Sequence, residues 1–488
     1  MERRSIASAP PDRRSPRVFI LILTLTLFCI NAPVRGQENG FGVIEGMWLP
    51  DEVCALGVGW ERIIFDWAQH QPTGPGDWYT LNVDDRWLEA AQNCGREVIA
   101  IVKSTPAWAT DGLAGAGVPR GLNLPLDDVG NLWANFMRRA AEYYAPRGVR
   151  RFIIWNEPDI DRETYGYEFE GDLEDYFQLL KVAALAAKQG NPAALIHVAG
   201  TTYWHDVNVG RRLYVDRLLE RINADPDAAQ HDHYFDAITL HIYFRVETVY
   251  DIARAMRNVL EAHGLGHKHI WIVETNASPN LDPQWRVSRP VWQIDLAQQA
   301  SYLVQAAALG LAAGADHVGV YKFFDWNLPP GAESFGLLRA DESRRPAYDA
   351  WRTVVQHFQG VEWAAVAAND QTVVVQLNRQ DGASITVGWA RTAEPVSLQV
   401  PAIVDNALLL NEYGGIIRVN SSDAGYNLLL PGAACNAGDG CPVGGGTALL
   451  IQSEWAVEAL PGVHSPFVST TIDGAEPLIW VGDVLNGS

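Results

Sequence analysis

The chain has 488 residues, 48% hydrophobic and 19% charged, enough apolar content for a large buried core and too much for a mainly disordered protein. Its formal net charge is −21, which argues against nucleic acid or anionic polysaccharide as a partner because long-range repulsion opposes both.

At the N-terminus Arg13, Arg14 and Arg17 precede an apolar run over 18–30, and the small-residue stretch around Gly36 follows. This is the order of a signal peptide, with cleavage expected near Gly36 and secretion to the cell surface or medium. The alternative is an uncleaved anchor, but thirteen apolar residues fall short of the roughly eighteen or more that span a bilayer. Stable membrane insertion is therefore not expected after cleavage. Residues 1–36 hold six Arg against Glu2 and Asp12, so their removal takes the net charge from −21 to −25.

Four cysteines remain beyond that point, and export permits disulfides. Cys435 and Cys441 bracket a turn-rich Asn-Ala-Gly-Asp-Gly loop that a bridge would pin. Cys54 and Cys94 either pair across neighbouring helices or stay as free buried thiols, since their spacing fixes no distance.

From 41 to 360, apolar runs alternate with longer segments of helical period. The runs are 42–48, 61–67, 98–104, 151–155, 194–200, 235–243, 269–274 and 317–324, rich in Ile, Val and Phe as doubly buried strands are. Amphipathic stretches at 127–144, 173–188, 246–263 and 294–313 suit crossover helices. Eight such runs predict an α/β fold, a (β/α)8 TIM barrel over 37–360. A doubly wound open sheet is the alternative, but no Gly-rich phosphate loop follows the first run. Beyond Gly360, alternating runs such as 372–377 and 384–389, broken by Asp-Gly and Gly-Gly turns, predict a C-terminal β-sandwich over 361–488 with an irregular tail from about Glu454.

In a parallel barrel the chemistry sits at the C-terminal ends of the strands. The fourth run leads into Asn156, Glu157 and Pro158, and the seventh ends in Glu274, Thr275 and Asn276. Strands four and seven can aim both carboxylates into one cleft, the arrangement that cleavage of a glycosidic bond needs. One carboxyl would protonate the departing oxygen and the other, about 5–5.5 Å away, would attack the anomeric carbon. The charge of the attacking group would raise the pKa of the donor, as the mechanism requires.

These motifs carry a resemblance. Ile154-Trp155-Asn156-Glu157-Pro158 resembles the fourth-strand motif of clan A glycoside hydrolases, and Ile272-Val273-Glu274 is similar to their seventh-strand nucleophile site. Ser104-Thr105-Pro106-Ala107-Trp108-Ala109, His241-Ile242-Tyr243 and Phe324-Asp325-Trp326 also resemble that clan, in order over about 41–360. Residues 334–338, Pro346-Ala347-Tyr348 and the sandwich beyond are similar to the barrel exit and accessory domain of family 39 and family 5 relatives.

The resemblance implies a retaining O-glycosyl hydrolase with Glu157 as acid/base and Glu274 as nucleophile. Asn156 would donate to the sugar 2-hydroxyl, and Tyr243 would hydrogen-bond Glu274. Arg62 would keep Glu274 ionised if strand two turns it inward, and otherwise is a surface residue. His241 would be a subsite or supporting hydrogen-bond partner, and Trp326 would stack on a sugar ring. Trp48, Trp108 and Trp155 also fall at strand ends, where packing at the rim competes with sugar binding. Asp325 and Lys103 have no clan role and either select substrate or pair with other charges. His205-Asp206 is a candidate hydroxyl contact, whereas His231-Asp232-His233 lacks a third ligand and reads as solvated loop. No metal or cofactor is expected, and a neutral carbohydrate is the expected partner.

Two readings of other classes remain. One is a carbohydrate-binding protein on a glycosidase scaffold that has lost turnover, against which stand both glutamates. The other is an adhesion module in the sandwich, for which 361–488 shows no constellation.

Overall fold

The computed structural model describes residues 39–164 and 166–453; the expected signal segment 1–36 and the tail from Glu454 lie outside the described residues. Eight parallel strands close into a barrel in chain order. They are β1 (Phe41–Ile44), β2 (Trp60–Asp66), β3 (Glu97–Lys103), β4 (Arg151–Asn156), β5 (Leu195–Thr201), β6 (Ala237–Tyr243), β7 (His269–Asn276) and β8 (His317–Val320). Around and between them run α1 (Pro50–Leu56), α2 (Trp67–His70), α3 (Asp85–Asn93), α4 (Leu132–Tyr144), α5 (Leu173–Gly190), α6 (Trp204–Asn208), α7 (Tyr214–Asn223), α8 (Glu247–Ala262), α9 (Leu296–Ala312) and α10 (Pro346–His357). Asp172 with Asp175 and Asp295 with Gln298 form capping boxes that satisfy the free N–H groups opening α5 and α9.

Two strands stop three or more residues before their apolar runs end. The first ends at Ile44 because Glu45 turns left-handed (φ 60°) into a 3-10 turn over Gly46–Trp48. The eighth ends at Val320 instead of 324, because from Lys322 onward the backbone pairs with the segment around Leu338: Leu337 N donates to Lys322 O at 2.9 Å and Asp325 N to Leu338 O at 3.1 Å.

The barrel interior is packed, not hollow. Trp60, Ile99, Ile101, Ile153 and Trp271 fill it, with Trp271 flat on His317 at 3.5 Å. Outward residues of the strands join the helices in a single larger core.

Past α10 the chain forms a six-stranded antiparallel sheet, ordered β14-β13-β16-β11-β10-β9, and a ribbon of β12 and β15. Their spans are β9 (Val361–Ala368), β10 (Thr372–Arg379), β11 (Ser384–Ala390), β12 (Val396–Val400), β13 (Asn406–Asn411), β14 (Ile416–Asn420), β15 (Tyr426–Leu430) and β16 (Ala448–Gln452). Period-2 alternation divides this sheet between two cores. Ala407, Leu409 and Leu450 pack against the ribbon, while Leu408, Leu410, Leu449 and Ile451 face the barrel core. Helix α9 lies against β9 and β10 and is buried from Gln298 to Gly310, and its polar residues Gln298, Ser301 and Gln305 are satisfied by Ala434 O, Glu412 and Gly445 O. Cys54 on α1 pairs with Cys94, at the C-terminal end of α3, and Cys435 with Cys441.

Where α9 meets the sheet, Glu412 is buried and accepts from Ser301 Oγ at 3.2 Å. Burial pushes its carboxyl up to about 7, against smaller opposing hydrogen bonds. Between the unfolded value of about 4.3 and about 7, the unfolded chain alone releases this proton, so stability falls as pH rises through that window and stays lowered above it. Glu412→Gln should therefore raise the melting temperature at pH 8 and leave it unchanged at pH 4, as differential scanning calorimetry would show.

Candidate active site

Of the eleven non-glycine residues with positive φ among the described residues, six lie at the C-terminal ends of the strands: Glu45 after β1, Ser104 after β3, Trp155 and Glu157 at β4, Tyr203 after β5 and Phe244 after β6. Each such conformation costs energy that the surroundings must supply, and such residues cluster at functional sites. Both acidic candidates lie at this end.

Side-chain parity explains how they get there. On β2, Trp60 faces the interior and Glu61 the outer layer, where it pairs with Arg96 at 3.0 Å. Arg62 therefore points inward, and so does Ile64, which is 36% exposed on the open cleft. On β6, Leu240 and Ile242 join the outer core, leaving His241 and Tyr243 inside.

Strand β7 breaks the alternation. Trp271 and Val273 face inward, so Glu274 would point out in a regular strand. A bulge intervenes, since Leu240 pairs with Ile272 but His241 pairs with Glu274. The extra residue turns Glu274 inward and sends Thr275 out, where its hydroxyl meets Tyr302 of α9 at 2.8 Å. Strand β4 changes parity by another device. Trp155, inward by count after Ile153, adopts φ 73° and packs in the outer layer against Trp133 and Phe169. Glu157 follows at φ 43°, its N–H bonded to Gly200 O at 3.0 Å.

The result is a linked set of charges. Arg62 Nη2 lies 2.5 Å from Glu274 Oε1, and Tyr243 donates its hydroxyl proton to Glu274 Oε2. His241 bridges the two acids, with Nδ1 2.6 Å from Glu157 Oε1 and Nε2 3.6 Å from Glu274 Oε1. Burial pushes the Glu274 carboxyl up, but the Arg62 and His241 charges and the Tyr243 and Arg62 hydrogen bonds outweigh it and hold it down at about 2. Burial opposes charge on His241, and the two carboxylates overcome it, so its pKa is raised. Glu157 is the more open acid, 21% exposed against 8% for Glu274.

Among the described residues, several buried polar atoms in this set have no hydrogen-bond partner: Arg62 Nε and Nη1, His241 Nε2 and Asn156 Oδ1. Buried polar groups are normally satisfied, and exceptions ask for a reason.

Other candidates fall in different places. Trp326 is half exposed and lies flat on Trp48, ring centroids 4.6 Å apart at 12°, which leaves its other face open. Trp108 Nε1 donates to Gln71 O at 2.6 Å. Asp325 is buried and bridges Arg345 at 2.6 Å and Gly336 N at 2.8 Å, and Lys103 pairs with Glu168. His205 bonds Asp161 at 3.0 Å, and Asp206 is buried against Arg211 at 2.6 Å. His231 and Asp232 are exposed. Among the described residues no cluster of three or more His, Cys, Asp or Glu is arranged for a metal ion, and no helix is long and apolar enough to cross a membrane.

Sequence reasoning missed Tyr321 and Phe335. Their rings lie 6.1 and 5.5 Å from that of Tyr243, and Asn276 fixes both backbones, donating to Tyr321 O at 2.7 Å and Phe335 O at 2.8 Å. Tyr321 fell inside the run 317–324 read as strand eight and Phe335 inside the 334–338 segment, where neither stood out as a site residue.

A closed (β/α)8 barrel with two acids linked across its C-terminal mouth defines the class of fold and site. No protein-family model and no curated protein sequence matches the chain. Solved structures do. A family 39 glycoside hydrolase from Bacteroides cellulosilyticus WH2 is similar at 16% identity with TM-score 0.66, over 86% of this chain and 81% of that one. A family 39 β-xylosidase from Caulobacter crescentus has 16% identity and TM-score 0.57 over 86% and 97%. A family 30 endoxylanase from Clostridium papyrosolvens C71 has 12% identity and TM-score 0.55 over 86% and 97%. The chain shares the fold of these proteins.

Gly200, at the end of β5, leaves room for the bridging imidazole: a Cβ there would stand 2.1 Å from His241 Nε2. Gly200→Ala should displace the ring and cost about 1–3 kcal/mol by overpacking. Chemical denaturation would measure the loss, and a crystal structure should show the Glu157–His241 bond broken.

Proposed function

We propose that the chain is a secreted retaining glycoside hydrolase acting on a neutral oligo- or polysaccharide, with Glu274 as nucleophile and Glu157 as acid/base. The observation that carries this is the unequal support of the two acids. Glu274 is held by a permanent cation and a phenol, which suits a carboxylate that must stay ionised. Glu157 is bonded to His241, which can itself hold a proton, and is open enough for water to reach.

In the first step a Glu274 oxygen attacks the anomeric carbon and forms an ester as the glycosidic C–O bond breaks, and the proton of Glu157 passes to the departing oxygen. In the second, Glu157 takes a proton from water, whose oxygen attacks the same carbon and releases Glu274. The unpartnered atoms of Arg62, His241 and Asn156 are suited to sugar hydroxyls, and the free face of Trp326 to a pyranose ring. Among the similar structures are a β-xylosidase and an endoxylanase, so xylose-based substrates come first in a test.

The purified chain should release sugar from one class within a panel of aryl glycosides and neutral polysaccharides, and Glu157→Gln and Glu274→Gln should fail on natural linkages. Glu274→Ala with azide should yield a glycosyl azide of inverted configuration; azide rescue with inversion at Glu157→Ala alone would exchange the two roles. No release by the parent chain from the whole panel would sink the proposal.

Arg62→Gln removes the largest influence opposing burial at Glu274. The nucleophile's pKa should rise, so the acid limb of the kcat/KM profile should move to higher pH.

A further inference from the structure

The second domain reaches the wall of this cleft. The loop closed by Cys435–Cys441 lies on the segments that follow β6 and β7. Arg245 Nη2 donates to Asp439 O at 3.1 Å, Gln293 N to Asp439 Oδ2 at 3.2 Å, Val246 N to Pro442 O at 3.0 Å and Gln298 Nε2 to Ala434 O at 3.0 Å. Asp439 is itself fixed within the loop, its N–H on Asn436 Oδ1 at 2.7 Å and its Oδ2 accepting from Asn436 Nδ2 at 3.1 Å.

What these contacts hold is strained. Phe244 has φ 67°, a costly backbone for an aromatic residue, directly after Tyr243. Its ring stacks on Trp292 at 5.6 Å and 14°, and the Arg245 guanidinium stands 5.0 Å from the Trp292 ring. Phe335 closes the wall, 6.0 Å from Phe244 and 5.5 Å from Tyr243. A continuous set of contacts thus runs from the loop through Trp292 and Phe244 to the phenol on Glu274.

We infer that Asp439 and its disulfide-closed loop are positioning elements for the nucleophile, acting from the second domain through the Phe244–Trp292 wall on Tyr243. The inference rests on the assignment of Glu274 made above. Asp439 touches no reacting atom. It holds residues 245 and 293 together so that Phe244 stays in its strained turn and Tyr243 stays on the carboxylate.

The test is a set of full-length variants assayed on whichever aryl glycoside the parent chain hydrolyses, alongside their crystal structures. Asp439→Ala, and Cys435→Ser with Cys441→Ser, should each lower kcat/KM roughly tenfold through misplacement of Tyr243. The acid limb should also move to higher pH, since a hydrogen bond to the ionised form is weakened. Asp439→Asn keeps an oxygen for the Gln293 N–H and should restore most of the activity. Asp439→Ala combined with Tyr243→Phe should be no slower than Tyr243→Phe alone, whereas additive losses would overturn the inference. So would an Asp439→Ala structure in which the Tyr243–Glu274 bond and the Phe244–Trp292 stack are unchanged. That structural readout stands even if the parent chain hydrolyses nothing, so the failure of the proposed function and the failure of this inference remain distinct.

Discussion

A carboxylate buried at the bottom of a cleft keeps its charge only beside a cation, and Arg62 fills that place for Glu274 at 2.5 Å. The rest of the site is arranged around this pair. Tyr243 satisfies the second oxygen, His241 carries the influence of the pair across to Glu157, and Gly200 leaves the space in which the imidazole stands. Taking either partner away would leave an uncompensated charge in the interior, which typically costs about 3–5 kcal/mol. Stability and the proposed chemistry therefore rest on the same contact.

The strands that carry the two acids both depart from regular geometry. The bulge at Val273 and Glu274 reverses side-chain parity so that Glu274 faces inward, and the left-handed turn at Trp155 sends that ring to the outer layer just before Glu157. Both distortions are held from outside the barrel: Thr275 meets Tyr302 on α9, and Trp155 sits against Trp133 on α4. The outer helices are thus fixed by packing and in turn fix the direction of the acids.

The C-terminal sheet belongs to the same scheme. Helix α9, buried along most of its length, is shared between the barrel and the six-stranded sheet, so neither would close its core without the other. Arg391 on the sheet side pairs with Glu247 of α8 at 2.6 Å, a further tie across the junction close to the turn that follows β6.

By itself the sequence determined the eight apolar runs, the helical segments between them and the change to alternating strands after Gly360, because buried strands and amphipathic helices write their periods into local composition. It also marked Glu157 and Glu274, since each directly follows an apolar run at the end where barrels carry chemistry. The inward direction of Glu274 was not legible, because strict alternation from Trp271 and Val273 points it outward and only pairing with β6 creates the bulge. Arg62 read equally well as a surface residue until the closed barrel turned it in. The bridging position of His241, the Trp48–Trp326 stack, the Cys54–Cys94 pair and the reach of Asp439 to the cleft join residues far apart in the chain. Their distances are set by closure of the barrel and docking of the sheet, and no local pattern encodes them.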